Sequence, residues 1–203
     1  MNITLFIIIL TSLTSFIAFR DENVFNKLKF NAYMIKHRKE WHRFVSYSLL
    51  HADWGHLLVN MFVLYSFGSN VEAIFDIIFP GKAPLYYIML YVGGVAFSTL
   101  YSFGKHRNNH YYNAVGASGA VSAVLFSSII LMPKGTVILL FFPVPIPAYI
   151  FGILYLVYSA YMAKRATDNI GHDAHFWGAV FGVAFTLILE PQLFYYFIDS
   201  IIN

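Results

Sequence analysis

The chain reads as long apolar runs separated by short polar punctuation. A membrane-spanning helix needs roughly 20 mostly apolar residues, and six runs approach that length. The first extends from Ile3 to about Phe19 and stops at Arg20-Asp21-Glu22. No basic residue precedes it and no Ala-x-Ala site follows, so it reads as a retained span rather than a signal peptide. The second covers about Trp54 to Phe75 and the third Ala83 to Phe103. The fourth, Ala117 to Met132, is short for a span and is stopped by Pro133-Lys134-Gly135. A proline-broken stretch, Val137 to Pro147, is expected at the interface before a fifth span from about Ala148 to Ala163. The sixth runs from Ala174 to about Leu189, with a continuation past Pro191 to Ile202.

The longest polar stretch, Arg20 to Asp53, interleaves Val24, Phe25, Leu28, Phe30, Phe44 and Leu49 with Lys27, Lys29, Lys36, Arg38, Lys39 and Arg43. That mixture suits a segment lying in the headgroup layer. Trp41, Trp54, Tyr111, Tyr112, Trp177, Tyr195 and Tyr196 crowd the span ends, as an aromatic belt requires. No internal repeat or low-complexity segment interrupts the pattern.

Composition sharpens this picture. Of the 203 residues 59% are hydrophobic and 11% charged, against about 45–50% and 25% in soluble domains. With 13 Lys+Arg against 10 Asp+Glu, the charge is too thin for a nucleic-acid phosphate footprint. The absence of cysteine excludes disulfides, thiolate metal sites and a cysteine nucleophile. Eight histidines are left as the near-neutral bases.

Polar side chains within apolar spans are costly and are functional candidates for that reason. His56 and Asn60, four apart, share one face of the second span. The fourth span opens with Val115-Gly116-Ala117-Ser118-Gly119-Ala120, a serine between residues too small to block approach. The sixth opens with His172-Asp173-Ala174-His175-Phe-Trp-Gly178. His175, Gly178 and Gly182 fall at i, i+3 and i+7, so the imidazole shares a stripe with a Gly-x-x-x-Gly surface that admits another helix backbone. The equally small start of the fourth span is the expected partner, and docking the two would bring Ser118 within reach of His175. A histidine at hydrogen-bond distance is the base a serine nucleophile needs. Ser118 also stands at a helix N-terminus, where unpaired N–H groups favour negative charge, and His56 and Asn60 are further donors to an oxyanion.

Plainer readings stand beside these. Gly-x-x-x-Gly taken alone is ordinary helix packing, His51 and His172 read equally well as interfacial residues, and Asp173 is expected to face water rather than complete a triad. The loop holding His106 and His110 reads as a solvated connector, unless a helix brings the pair together to bind metal.

At this point the motifs resemble those of the rhomboid intramembrane serine proteases. Gly116-Ala-Ser118-Gly119 resembles the nucleophile motif, His56-Leu-Leu-Val-Asn60 the oxyanion motif, and Ala174-His175-Phe-Trp-Gly178-Ala-Val-Phe-Gly182 the base helix. Glu40-Trp41-His42-Arg43 and Leu50-His51-Ala-Asp-Trp54 resemble the first loop of many members, and Phe67-Gly68-Ser-Asn-Val71-Glu72 the end of their second helix. The resemblance implies an all-α, polytopic, six-helix bundle with an interfacial first loop, a single domain over residues 1–203, in the minimal form without a soluble domain or seventh span. It implies a Ser118–His175 dyad without a carboxylate, an oxyanion site from Asn60, His56 and the Ser118 N–H, and helix-packing support from Gly116, Gly119, Gly178 and Gly182. No cofactor or metal is implied. The partners would be membrane lipids and single-span membrane proteins, cleaved in or near the bilayer, with the fifth span and the loop Arg165 to Asp173 as gate and cap. Two departures stand out. Many members carry an aromatic residue four places after the nucleophile, stacked on the base, where this chain has Ser122, and His42 separates Trp41 from Arg43.

Charge counting and resemblance disagree on orientation. Loops one, three and five hold all the basic residues except Lys82 and Lys134, which by the positive-inside rule puts the catalytic mouth in the cytoplasm. Resemblance to bacterial members puts it on the extracytoplasmic side of the plasma (inner) membrane, and this reading is adopted because seven of those charges lie in one interfacial segment. A silent client-binding relative would lack Ser118 or His175, and a small transporter would spread ionisable groups through the bilayer depth.

Overall fold

Each apolar run folds as helix. A computed structural model describes residues 2–139, 142–165 and 170–203. In chain order the elements are α1 (Ile3–Ala18), α2 (Glu22–Leu28), α3 (Ala32–Arg38), α4 (Arg43–Ser46) running into a 3₁₀ turn (Tyr47–Leu49), α5 (Trp54–Ile78), α6 (Ala83–His106), α7 (Ser118–Leu131), strands β1 (Thr136–Leu139) and β2 (Phe142–Pro147), α8 (Ala148–Arg165), α9 (His172–Leu189) and α10 (Gln192–Ile202). Among the described residues three helices, α5, α6 and α9, are long and apolar enough to cross a membrane, while α1 and α7 are shorter apolar helices. Of the six expected spans, the fourth of them short, three are long enough by this measure. The sixth run does not continue through Pro191. The α9 helix ends at Leu189, with Glu190 as its C-cap, and α10 starts anew with Pro191 as its N-cap. The proline-broken stretch expected at the interface includes an antiparallel pair of strands, β1 with β2, Val137 opposite Ile146.

On α1 burial runs opposite to that of a helix in a water-soluble bundle. On α1 the inward residues include Thr4, Thr11 and Ser15, while Phe6, Ile9, Leu13 and Ile17 are exposed. Lipid tails are as apolar as leucine, so an outward Leu or Ile is satisfied there, whereas a hydroxyl needs a partner inside. Thr4 has one: its Oγ1 shares a hydrogen bond with the Tyr87 hydroxyl at 2.7 Å. Beside it the Glu72 carboxylate accepts the Ile3 and Thr4 N–H groups at 2.7 and 2.9 Å, pairing orphan donors of the first turn of α1. Gly68 lies one turn before Glu72, where a Cβ would stand 2.9 Å from Thr4.

The centre of the bundle is α7. From Gly119 to Leu131 every one of its residues is buried, against α5, α6 and α9. Its 14 residues make about 21 Å of helix, short of the roughly 30 Å hydrocarbon layer. Gly178 and Gly182 of α9 press onto the α7 backbone at Gly119 and Ala123, each leaving no room for a Cβ. Beside α9, Gly94 of α6 meets Ala120 and Ala123 of α7.

The segment from Arg20 to Asp53 is ordered by its own polar groups. Asp21 and Asn31 cap α2 and α3 through their side chains. Arg43, buried, donates Nε to Glu40 at 2.6 Å and Nη1 to the Asn26 and Lys29 carbonyls at 2.9 and 2.7 Å. Phe30 and Ala114 exchange backbone hydrogen bonds, and the Gly116 N–H donates to the Tyr47 carbonyl at 3.1 Å. The first loop therefore holds the strand of chain that leads into Ser118.

Candidate active site

Ser118 is the first residue of α7. The turn before it depends on Gly116, whose φ of +124° lies in a region that side chains rarely adopt. A Cβ there would also stand 2.8 Å from Cε1 and 3.0 Å from Nε2 of His56, and 3.7 Å from Ser118 Oγ. The space left by the missing side chain is thus where the His56 imidazole and the serine hydroxyl converge.

His56 is held at the start of α5, where Asp53 Oδ1 accepts its N–H at 2.8 Å as N-cap. Its Nδ1 accepts a long bond from the Ala52 N–H at 3.5 Å, which assigns the ring proton to Nε2, the nitrogen beside Gly116. One turn on, buried Asn60 donates Nδ2 to the His56 carbonyl at 2.9 Å, fixing the amide against its own helix.

His175 lies in the first turn of α9, with its N–H donating to the Gly171 carbonyl at 3.1 Å. A Cβ on Gly119 would lie 3.3 Å from the Ala174 carbonyl oxygen, and Gly178 contacts the Gly119 backbone directly. The residues adjoining Ser118 and His175 are therefore in contact, as the small-residue stripe predicted, and the starts of α5, α7 and α9 share one end of the bundle.

The ring of Tyr155, from α8, stacks on the imidazole of His175, with centroids 6.3 Å apart and planes 27° from parallel. Its hydroxyl shares a 2.6 Å hydrogen bond with Ser122 Oγ. No motif in the sequence distinguished Tyr155 from the other tyrosines of α8. Tyr47 and Ser98 also went unmarked. The Tyr47 hydroxyl donates to the Val95 carbonyl at 2.7 Å and lies 2.9 Å from Ser98 Oγ, and Ser98 in turn lies under Gly119. Burial pushes the Tyr47 phenol up to about 12, so it stays a neutral donor.

Several plainer expectations are refined or corrected. His51 and His172 are both buried within the protein. His51 Nδ1 lies 3.0 Å from Ser15 Oγ, and its ring meets His56 edge-on at 4.9 Å. Burial, and then the nearby His56, lower the His51 pKa to about 3 against a weaker pull from Asp53, so the ring is neutral. Asp173 does not simply face water: its Oδ2 accepts from Ser102 at 2.7 Å and its Oδ1 from the Ala174 N–H at 2.9 Å, pinning the start of α9 to α6. The α6 helix ends at His106, so His110 is not on its face. His106 instead stacks on Tyr112 at 3.6 Å. Among the described residues no group of three His, Asp or Glu is placed to hold a metal. The expected cap, Arg165 to Asp173, lies partly outside the described residues, at 166–169.

A buried serine-bearing helix wedged between two helices that carry histidine at the same end is the framework of a polytopic membrane protein with a polar site at one end of its bundle. The family model for the rhomboid domain matches residues 38–192, and the chain belongs to the rhomboid family. It is 28% identical over 153 residues to "RHOMBOID-like protein 12, mitochondrial" of Arabidopsis thaliana, covering 68% of this chain and 43% of that protein. It is also 28% identical over 143 residues to "Presenilin-associated rhomboid-like protein, mitochondrial" of Homo sapiens (66% and 34% covered). The match to "Presenilin-associated rhomboid-like protein A, mitochondrial" of Danio rerio is 28% over 146 residues (67% and 34%). The chain thus spans less than half the length of the curated relatives it matches.

Proposed function

We propose that this protein is an intramembrane serine endopeptidase acting on single-span membrane proteins. The observation that carries the reading is the convergence of His56 and Ser118 Oγ on Gly116, at the bundle end where α9 presents His175. In the proposed reaction Ser118 Oγ attacks the scissile carbonyl as His175 takes its proton, and His175 then returns that proton to the leaving amine. The oxyanion forms beside the Ser118 N–H, which has no partner within its helix, His56 Nε2–H and the second N–H of the Asn60 amide, whose first is already bonded. Water deacylates the ester from the polar end. The substrate backbone must unwind to present its carbonyl, because a lipid-exposed helix keeps its carbonyls bonded. With α8 as the gate, its exposed face of Ile153, Leu154 and Val157 is what an incoming helix meets first.

Labelling by a fluorophosphonate probe in detergent tests the reading. The wild type is expected to label, Ser118→Ala not at all, and His175→Ala at a rate lower by about 10²- to 10⁴-fold with folding retained. Labelling that persists in Ser118→Ala, or none in folded wild type, refutes it. Orientation follows the same proposal, with the mouth on the extracytoplasmic face. Since the chain has no cysteine, Tyr111→Cys and Lys82→Cys report on the two faces without background, and an impermeant thiol reagent reaching only Lys82→Cys from outside reverses the assignment.

A further inference from the structure

A histidine that passes a proton between serine and leaving group must keep its ring plane, yet χ2 of histidine is broad and two-fold. Something outside the side chain must hold it. On the α8 side of His175 that group is Tyr155, whose ring lies 27° from the imidazole plane, with its centroid in the range of aromatic pairing. The tyrosine is itself located from three directions. Phe126 and Phe151 tilt against its ring at 5.5 and 5.9 Å, and its hydroxyl is tied to Ser122 at 2.6 Å. Ser122, 3% exposed, sits on α7 one turn after Ser118. The plane of the base is therefore referenced, through Tyr155 and Ser122, to the helix that carries the nucleophile.

We propose that Tyr155 and Ser122 form a positioning pair for His175, in which an aromatic ring from α8, tethered to α7, supplies what position 122 itself does not. The inference rests on the protease reading of the site. It ties the state of the base to a helix with few fully buried residues. Of the α8 residues only Ala148, Gly152 and Ser159 are buried, and α8 approaches α7 closely at Gly152, where a Cβ would stand 3.2 Å from Ile129. If α8 swings aside to admit a substrate, Tyr155 leaves with it, and the base is ordered again only when α8 returns.

The test measures fluorophosphonate labelling of the full chain in detergent against pH, with thermal unfolding recorded for each variant. Tyr155→Leu is expected to lower the maximal labelling rate by about 10- to 100-fold, a part of the general-base contribution. The pH profile of labelling should shift while probe affinity is unchanged. Tyr155→Phe and Ser122→Ala each remove the same hydrogen bond, so each should lose a few-fold, and the double variant no more than either. Tyr155→Leu combined with Ser122→Tyr returns a ring from α7 and should regain at least tenfold. If folded Tyr155→Leu labels at the wild-type rate and profile, the positioning role is wrong. If Tyr155→Leu does not fold, the two single hydrogen-bond variants decide, and wild-type rates in both overturn the pair. Wild type that never labels refutes the protease reading instead, so the two failures are distinguishable.

Discussion

Replacing Gly178 with alanine puts the contact between α7 and α9 to a quantitative test. A Cβ on Gly178 would stand 2.8 Å from the Gly119 carbonyl carbon and 3.0 Å from its Cα, and closer still to the carbonyl oxygen. These are backbone atoms on a fully buried helix, so no side chain can turn away, and ordinary contact begins near 3.4 Å. Relief needs the two helices to part by on the order of 1 Å, a displacement that costs about 10²-fold when it falls between reacting groups. Overpacking of this kind destabilises by about 1–3 kcal/mol. Gly178→Ala is therefore expected to lower Tm in detergent and to reduce fluorophosphonate labelling of Ser118 by about 100-fold in the fraction still folded. Gly104→Ala is the control: it lies near the end of α6 where a Cβ meets nothing within 4 Å. Helix propensity alone favours that change by up to about 1 kcal/mol. Wild-type stability and labelling in Gly178→Ala would refute the backbone-on-backbone packing.

Two further predictions concern the loop side of the bundle. The His51 pKa is lowered to about 3 by burial, below its unfolded value near 6.5. The unfolded chain therefore binds the extra proton between those values, and stability should fall with decreasing pH from about 6.5 toward 3, at up to about 1.4 kcal/mol per pH unit. His51→Gln should flatten that slope in a Tm-versus-pH series, and an unchanged slope would assign it to another group. Arg43→Lys keeps the charge but loses the planar fork that reaches Glu40 and two carbonyls together. The variant is expected to lose about 1–2 kcal/mol and to be cleaved faster by added protease between Arg20 and Asp53, and equal cleavage rates would sink the role given to Arg43.

The motifs that were legible are those whose partners lie within one helix turn or on one helical stripe. Ser118 between small residues, His56 with Asn60, and His175 with Gly178 and Gly182 could be placed on faces from spacing alone, and the structure brings their helix starts together. Local chemistry also predicted the stop at Pro133 and the basic, amphipathic first loop. The pairing of β1 with β2 was not legible, because a run dense in proline signals interruption rather than the register of Thr136 against Pro147.

The sequence by itself determined that this is a helical membrane protein, which helix ends carry its polar groups, and which stripe of α9 can approach a neighbour closely. Apolar run length and residue spacing are properties of a single segment, and a linear chain displays them. Only the tertiary structure decided what those groups meet. Tyr155 reaches Ser122 across 33 positions of sequence, Asp173 reaches Ser102 across 71, and Glu72 reaches Thr4 across 68. The periodicity of a helix says which face is polar, but not which helix lies opposite or at what height. That depends on how close two backbones can come, and here glycine sets that approach.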